Sequence, residues 1–123
     1  MFELKTVSHF AAAHQLTMVA KKCENLHGHN WKVEVTVVAR DLDKAGLGID
    51  FKLLKKGTKE ILAQLDHKYL NDLPAFQQTS PSSENIARFL FEELGQAINT
   101  ENVTVEIVNV WESENACASY SLD

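Results

Sequence analysis

The stretch HGHNWKVEVTV, residues 27–37, decides the fold of this chain because apolar and polar side chains alternate along it. Alternation with a period of two is typical of a β-strand that buries one face. The apolar positions are all odd-numbered: Trp31, Val33, Val35 and Val37. Extending this register backwards places His27 and His29 on the same face, if no bulge intervenes. The stretch therefore predicts a half-buried strand that begins with two neighbouring imidazoles.

Two helices are predicted in the middle of the chain. Asp50 is a good N-cap for a helix that runs to about Leu65. Pro81, followed by Ser82 or Ser83 as the cap, opens the second helix. Residues 66–80, which lie between the two helices, are predicted to form a loop.

Further strands are predicted at both ends. Residues 2–14 are interpreted as a strand, although their run of alanines would also suit a helix. Residues 103–112 and 116–122 are strand-like and separated by a gap that suits a short hairpin. The order ββααββ predicts an α+β fold, a four-stranded antiparallel sheet with two helices packed on it. Such a sheet has open edge strands, which oligomerisation would close.

The composition indicates one ordinary globular domain spanning residues 1–123. The chain is 45% apolar and 24% charged, and its net charge of -5 argues against a nucleic-acid partner. The first residues lack the pattern of a signal peptide, and no apolar run approaches the roughly 18 to 20 residues that cross a bilayer. Two cysteines are too few for a disulfide framework. We therefore expect a cytoplasmic protein with no membrane partner.

Three histidines form a candidate metal site. Imidazole is the usual zinc ligand, and three histidines with an open fourth position are typical of catalytic zinc. His14 follows the first predicted strand, so antiparallel pairing could bring it beside His27 and His29. Two polar residues at a strand entrance are an equally good interpretation of the latter pair taken alone. His9 is expected to have a surface or core role.

Cys23 lies four residues before His27 and is a candidate reactive thiol. A lone cysteine is usually a small buried hydrophobe, but polar neighbours indicate an accessible loop here. Lys22 and a nearby dication would both favour the thiolate. Cys117, between two alanines, is assigned to packing.

Two acidic positions are further candidates. Asp66 precedes His67, and a carboxylate that orients an imidazole is a common proton relay. Adjacent side chains often diverge, so a solvated helix end is an equally good interpretation. Glu112 ends an apolar strand and could accept two parallel hydrogen bonds from an amidine-like edge, although a surface glutamate is the simpler interpretation.

Taken together, these residues resemble the 6-pyruvoyltetrahydropterin synthase and 6-carboxytetrahydropterin synthase family over essentially the whole chain. The resemblance rests on six ordered motifs, at residues 10–14, 23–29, 50–51, 65–71, 81–85 and 110–112. The family implies the tunnelling fold, in which three subunits complete a β-barrel and two trimers stack into a homohexamer. Its active sites lie between subunits.

The resemblance also implies roles for individual residues. Zinc would be held by His14, His27 and His29, and Cys23 would be the general base. The other implied roles belong to Asp66 and His67 as the proton relay, Glu112 as the anchor of the pterin's amino-pyrimidine edge, and Ser82, Ser83 and Lys22 as further contacts of the substrate.

The implied reaction is a zinc-dependent lyase step on a pterin triphosphate, 7,8-dihydroneopterin triphosphate. One family subgroup has a cysteine four residues before the His-Gly-His motif, and another, linked to folate, has a glutamate three residues before it. This chain has both, as Cys23 and Glu24. We expect 6-carboxytetrahydropterin, on the route to queuosine and related deazapurines, as the product. The alternatives are 6-pyruvoyltetrahydropterin and 6-hydroxymethyldihydropterin; a non-catalytic pterin-binding or zinc-binding module fits the retained Cys23, Asp66 and His67 poorly.

Overall fold

The structure, a computed structural model, describes residues 1–16 and 26–123. These residues form one sheet and two α-helices. The strands lie in the order β3-β1-β2-β4-β5 across the sheet. In chain order the elements are β1 (Phe2–His14), β2 (His27–Ala39), α1 (Phe51–Leu62), β3 (Lys68–Tyr69), α2 (Ser83–Ile98), β4 (Val103–Ser113) and β5 (Ala116–Tyr120).

The alternating apolar residues of β2 are buried, as predicted. Trp31, Val33, Val35 and Val37 are at most 1% exposed and form the centre of the core. The antiparallel register of β1 and β2 pairs Phe10 with Trp31, and the two rings stack with centroids 5.7 Å apart. Both α-helices contribute buried residues to this same core, so they cover the apolar face of the sheet. Neither α1 nor α2, the α-helices of the described residues, is long and apolar enough to cross a membrane.

Both predicted helix caps are confirmed. The Asp50 carboxylate accepts from the backbone N–H of Lys52, and the Ser82 hydroxyl accepts from the backbone N–H of Asn85. Each side chain thereby pairs a helix N–H that would otherwise lack a partner. The predicted end of α1 at Leu65 is three residues too late. Leu65 is fully buried, but it lies in the turn that follows the helix. Because it is apolar and buried, it continues the pattern of buried helix residues in the sequence although the helix has ended.

The prediction of a four-stranded antiparallel sheet is corrected to a five-stranded mixed sheet. Residues 66–80, predicted as a loop, contain β3 and two short 3-10 helices, Leu70–Asp72 and Pro74–Phe76. β3 pairs in parallel with Ala12 and Ala13 of β1. A strand of two residues has no periodicity to detect, because a period-two pattern needs four or more residues. The α+β class and the two-helix layer are as predicted.

The C-terminal hairpin has an irregularity at Glu112. Trp111 pairs with Cys117 and Ser113 pairs with Ala116, so Glu112 is an extra residue on β4. An extra residue of this kind forms a β-bulge, which bends a strand and re-aims side chains. Cys117 is exposed on the edge strand β5, so its assignment to packing is wrong for this chain taken alone.

Candidate metal centre

Three ligand-type side chains meet at one end of the core face of the sheet. The Nε2 atoms of His14 and His29 lie 3.0 Å and 3.2 Å from the same oxygen, Oε1 of Glu112. One ligand atom from each of the three residues lies within 4.8 Å of the other two. The residues come from the end of β1, the start of β2 and the end of β4, which the strand register brings together.

A buried tryptophan supports the two imidazoles. The Trp31 ring makes edge-to-face contacts with His14 at 5.0 Å and with His29 at 5.3 Å between centroids. Its indole N–H donates to the carbonyl of Ala12 at 3.2 Å, which fixes the ring that the imidazoles pack against. His14 is 1% exposed, His29 24% and Glu112 34%. The cluster is therefore closed beneath His14 and open towards solvent at Glu112, where a ligand can approach.

The hydrogen bond of the second His14 nitrogen sets the chemistry of the cluster. His14 Nδ1 lies 2.8 Å from the carbonyl oxygen of Pro81. A carbonyl only accepts, so Nδ1 carries a proton, and Nε2 is the nitrogen that faces Glu112. The carboxylate oxygen of Glu112 also only accepts, so a proton or a cation must lie between it and Nε2, 3.0 Å away. Metal-binding histidines commonly have such a second-nitrogen partner, so this nitrogen–nitrogen–oxygen set fits a divalent metal such as zinc.

Several predicted site residues cannot be placed in this cluster. The backbone of His27 pairs with His14 across β1 and β2, but the His27 side chain lies outside the described part. Lys22, Cys23 and Glu24 lie in residues 17–25, also outside the described part. The third histidine ligand and the general base therefore stay predictions.

Glu112 has a contact that the sequence analysis missed. It was predicted only as a substrate anchor, whereas its carboxylate also touches both imidazoles. A partial signal was available, because the alternation of Val108 and Val110, both fully buried, predicts that Glu112 shares their face. The bulge at Glu112 and the strand registers that bring the histidines beside it are seen only in the structure.

The side chains of Asp66 and His67 are in contact, and their role as a proton relay stays a prediction. His67 Nδ1 lies 3.1 Å from Asp66 Oδ1, and the imidazole is 81% exposed. Asp66 Oδ1 also accepts a hydrogen bond from the backbone N–H of Ala11 at 2.9 Å. The backbone N–H of His67 donates to the Ala11 carbonyl at 2.6 Å. The backbone N–H of Ala11 has the largest effect and lowers the pKa of Asp66; partial burial of the carboxyl opposes this, and the His67 side chain lowers the pKa further. The lowered pKa keeps the Asp66 carboxylate ionised, so it can hold the His67 imidazole in place.

His67 adopts an uncommon backbone conformation. Its φ is +60°, in the left-handed region that residues other than glycine seldom occupy. The two hydrogen bonds to Ala11 hold the segment in this geometry, since they join residues 66 and 67 to β1 near its C-terminal end. Such local strain often accompanies functional residues.

An open groove of about 490 Å³ lies beside the Asp66–His67 pair. His67 and His29 line it, together with Ala11, Ala13, Gly28 and Tyr69. The small side chains leave room above the strands for a flat ligand.

Ser82 and Ser83 have structural roles at the start of α2. The Ser82 hydroxyl is the helix cap and Ser83 is the first helical residue. The neighbouring Pro81 carbonyl is the partner of His14, a functional atom that no side-chain motif could reveal. Substrate contacts by the two serines stay a prediction.

The α+β fold carries a candidate metal centre, the His-His-Glu cluster, beside a carboxylate–imidazole pair. Comparison with known families then identifies the relationship. A family model described as 6-pyruvoyl tetrahydropterin synthase matches residues 3–123. The chain therefore belongs to the 6-pyruvoyl tetrahydropterin synthase family, as the resemblance indicated.

Individual relatives carry two different names. A relative from Archaeoglobus fulgidus is 38% identical over 109 residues, which cover 89% of this chain and 86% of that protein. A 6-carboxy-5,6,7,8-tetrahydropterin synthase from Bacillus subtilis is 32% identical, with coverage of 80% and 69%. A 6-pyruvoyl tetrahydrobiopterin synthase from Poecilia reticulata is 35% identical, with coverage of 75% and 72%.

Solved structures show the same fold. The 6-pyruvoyl tetrahydropterin synthase of Caenorhabditis elegans superposes with a TM-score of 0.86 at 26% identity, and the match covers 99% of this chain and 96% of that one. The predicted tunnelling fold of the subunit is therefore confirmed.

Proposed function

We propose that this protein is a zinc-dependent carbon–carbon lyase. It would convert 7,8-dihydroneopterin triphosphate to 6-carboxy-5,6,7,8-tetrahydropterin, with loss of acetaldehyde and triphosphate, on the route to queuosine and related deazapurines. The observation that carries the proposal is the convergence of His14 and His29 on Glu112 beside the groove that His67 also lines. The name of the Bacillus subtilis relative supports the choice of product.

We infer that the metal ligands are His14, His27 and His29. His14 Nε2 faces the cluster. His27, the third proposed ligand, is the backbone partner of His14 across β1 and β2, so the two residues are neighbours in the sheet. When bound, zinc would supply Lewis acidity towards the hydroxyl groups of the substrate side chain. Trp31 would keep the imidazoles oriented, and its burial excludes water from beneath them.

The other residues would bind the pterin and move protons. Glu112 would accept two hydrogen bonds from the amino-pyrimidine edge, since its carboxylate lies on the solvent side of the cluster. Cys23 would remove a proton from the substrate side chain, and the Asp66–His67 pair would shuttle one across the groove. Lys22, Ser82 and Ser83 would add contacts to the substrate, and Glu24 a second candidate base.

A second candidate function is 6-pyruvoyltetrahydropterin synthesis, in which triphosphate is eliminated and the carbon skeleton is kept. The name of the Poecilia reticulata relative favours it. A third outcome, release of 6-hydroxymethyldihydropterin for folate, would use Glu24. The same metal and relay residues serve all three routes.

A single product assay separates these functions. Purified protein is loaded with zinc under reducing conditions and incubated with 7,8-dihydroneopterin triphosphate, and the products are identified by mass spectrometry. We expect 6-carboxytetrahydropterin from wild type and no product from His29→Ala. His9→Ala, an exposed histidine of β1, is the matched control and should keep full turnover. A 6-pyruvoyl product would favour the second candidate, and no turnover by zinc-loaded wild type would overturn the enzyme proposal.

We also propose a cytoplasmic homohexamer built as a dimer of trimers. Within the described residues, β3 covers β1 only at Ala12 and Ala13, and β5 forms the opposite edge. Phe2 and Val7, both on β1, are 47% and 45% exposed. Open, partly apolar strand edges of this kind are usually covered by another chain, and closure of a barrel between subunits would cover both.

A further inference from the structure

The chain is clamped by a side chain directly after His14. The backbone N–H of Gln15 donates to Asn71 Oδ1 at 2.9 Å, and Asn71 Nδ2 donates to the Gln15 carbonyl at 2.8 Å. The carboxamide thus offers one donor and one acceptor, as the backbone of a neighbouring strand would. It takes over where the pairing of β1 with β3 ends, at Ala13 and Tyr69.

The clamp is itself held on both sides. The Tyr69 hydroxyl donates to Gln15 Oε1 at 3.2 Å, so the side chain of Gln15 is fixed as well as its backbone. The Gln77 amide donates to the carbonyls of Asn71 and Leu73 at 2.9 Å and 3.0 Å, which ties the two 3-10 helices together. The backbone that carries Asn71 is therefore itself held by the hydrogen bonds of Gln77.

We propose that Asn71 is a positioning residue that fixes His14 for metal binding. This inference rests on the metal centre proposed above. His14 is the last residue of β1, where a strand without further partners would fray. Asn71 prevents this by holding Gln15, while β3 holds Ala13 and the Pro81 carbonyl holds the ring of His14. A metal ligand must be held to within about 0.5 Å, and these three restraints act on the residue before His14, on its ring and on the residue after it.

The chain contains a matched control for this clamp. Asn102 Oδ1 accepts the backbone N–H of Asp41, and Asn102 Nδ2 donates to the Asp41 carbonyl, both at 2.8 Å. The geometry is the same two-point clamp of a backbone segment. It lies beyond the Ala39 end of β2, so the length of that strand separates it from the histidines by roughly 40 Å.

The test compares Asn71→Ala with Asn102→Ala. Zinc affinity of metal-free protein is measured by competition with a chromophoric chelator, and thermal stability is measured alongside. Each variant loses two hydrogen bonds, so we expect similar falls in Tm. We expect zinc affinity to fall about tenfold in Asn71→Ala, the lower range for loss of a partner that orients a ligand, and to stay unchanged in Asn102→Ala. Asn71→Ser, a milder change, should have a zinc affinity between those of wild type and Asn71→Ala. It replaces the alanine variant in the comparison with wild type if that variant folds poorly.

A second readout does not involve metal. Nitrogen-15 NMR of the imidazoles, assigned with His14→Gln, should show the Nδ1-protonated tautomer of His14 in wild type and a tautomer mixture in Asn71→Ala. Unchanged affinity and unchanged tautomer in Asn71→Ala would overturn the inference, as would an equal loss of affinity in Asn102→Ala. If wild type binds no zinc, the metal centre is wrong, and the tautomer measurement alone decides the role of Asn71.

Discussion

Glu112 gives the sharpest test of the candidate site, because its carboxylate is proposed to bind the pterin and also contacts both imidazoles. Glu112→Gln keeps the shape of the side chain and removes its charge. The lost charge-assisted hydrogen bonds to a pterin edge correspond to about 1.5 to 3 kcal/mol. Glu112 is 34% exposed, so solvent screening favours the lower half of this range, a loss of about 10- to 40-fold in Kd.

The measurement is calorimetric titration with a pterin analogue that lacks the triphosphate. Zinc must be saturating in every sample, because Glu112 Oε1 also lies against both imidazole nitrogens and its loss should weaken metal binding. Glu106→Gln, an exposed glutamate on the same strand, is the control and should bind the analogue as wild type does. Equal affinity in Glu112→Gln and wild type at saturating zinc would remove Glu112 from the pterin site.

The remaining predictions concern the metal, the base and the assembly. Wild type should contain about one zinc per subunit by elemental analysis, with strong depletion in His27→Ala and His29→Ala; full occupancy in both would refute the histidine site. Cys23→Ala should abolish the 6-carboxy product, while Glu24→Ala should keep most of it and lose any 6-hydroxymethyl product. A near wild-type product ratio and rate for Cys23→Ala would transfer the role of base to Glu24 or His67. Light scattering should give the mass of a hexamer, and an active, stable monomer at micromolar concentration would contradict the barrel proposal.

Sequence was informative where one local pattern determined the structure. β2 was predictable because one-sided burial imposes a period of two, and the caps Asp50 and Ser82 because each acts within three residues. β3 was not predictable, since its two residues exist as a strand only through Ala12 and Ala13. The contact of Glu112 with His14 depends on two strand pairings, β1 with β2 and β2 with β4, and no local pattern specifies either register.

Residues 66–71 also hold the end of β1 in place, which affects how variants of Asp66 must be interpreted. Residues 66 and 67 hold Ala11 through its N–H and its carbonyl, and Asn71 holds Gln15 in the same way. One short segment therefore restrains β1 on both sides of His14, so the proton relay and the metal ligand share a frame. Asp66→Ala removes the charge beside His67 and the acceptor for Ala11 together, whereas Asp66→Asn can keep the acceptor. The loss of activity in Asp66→Asn therefore measures the effect of the charge on proton transfer. The additional loss in Asp66→Ala, compared with Asp66→Asn, measures the anchoring of β1.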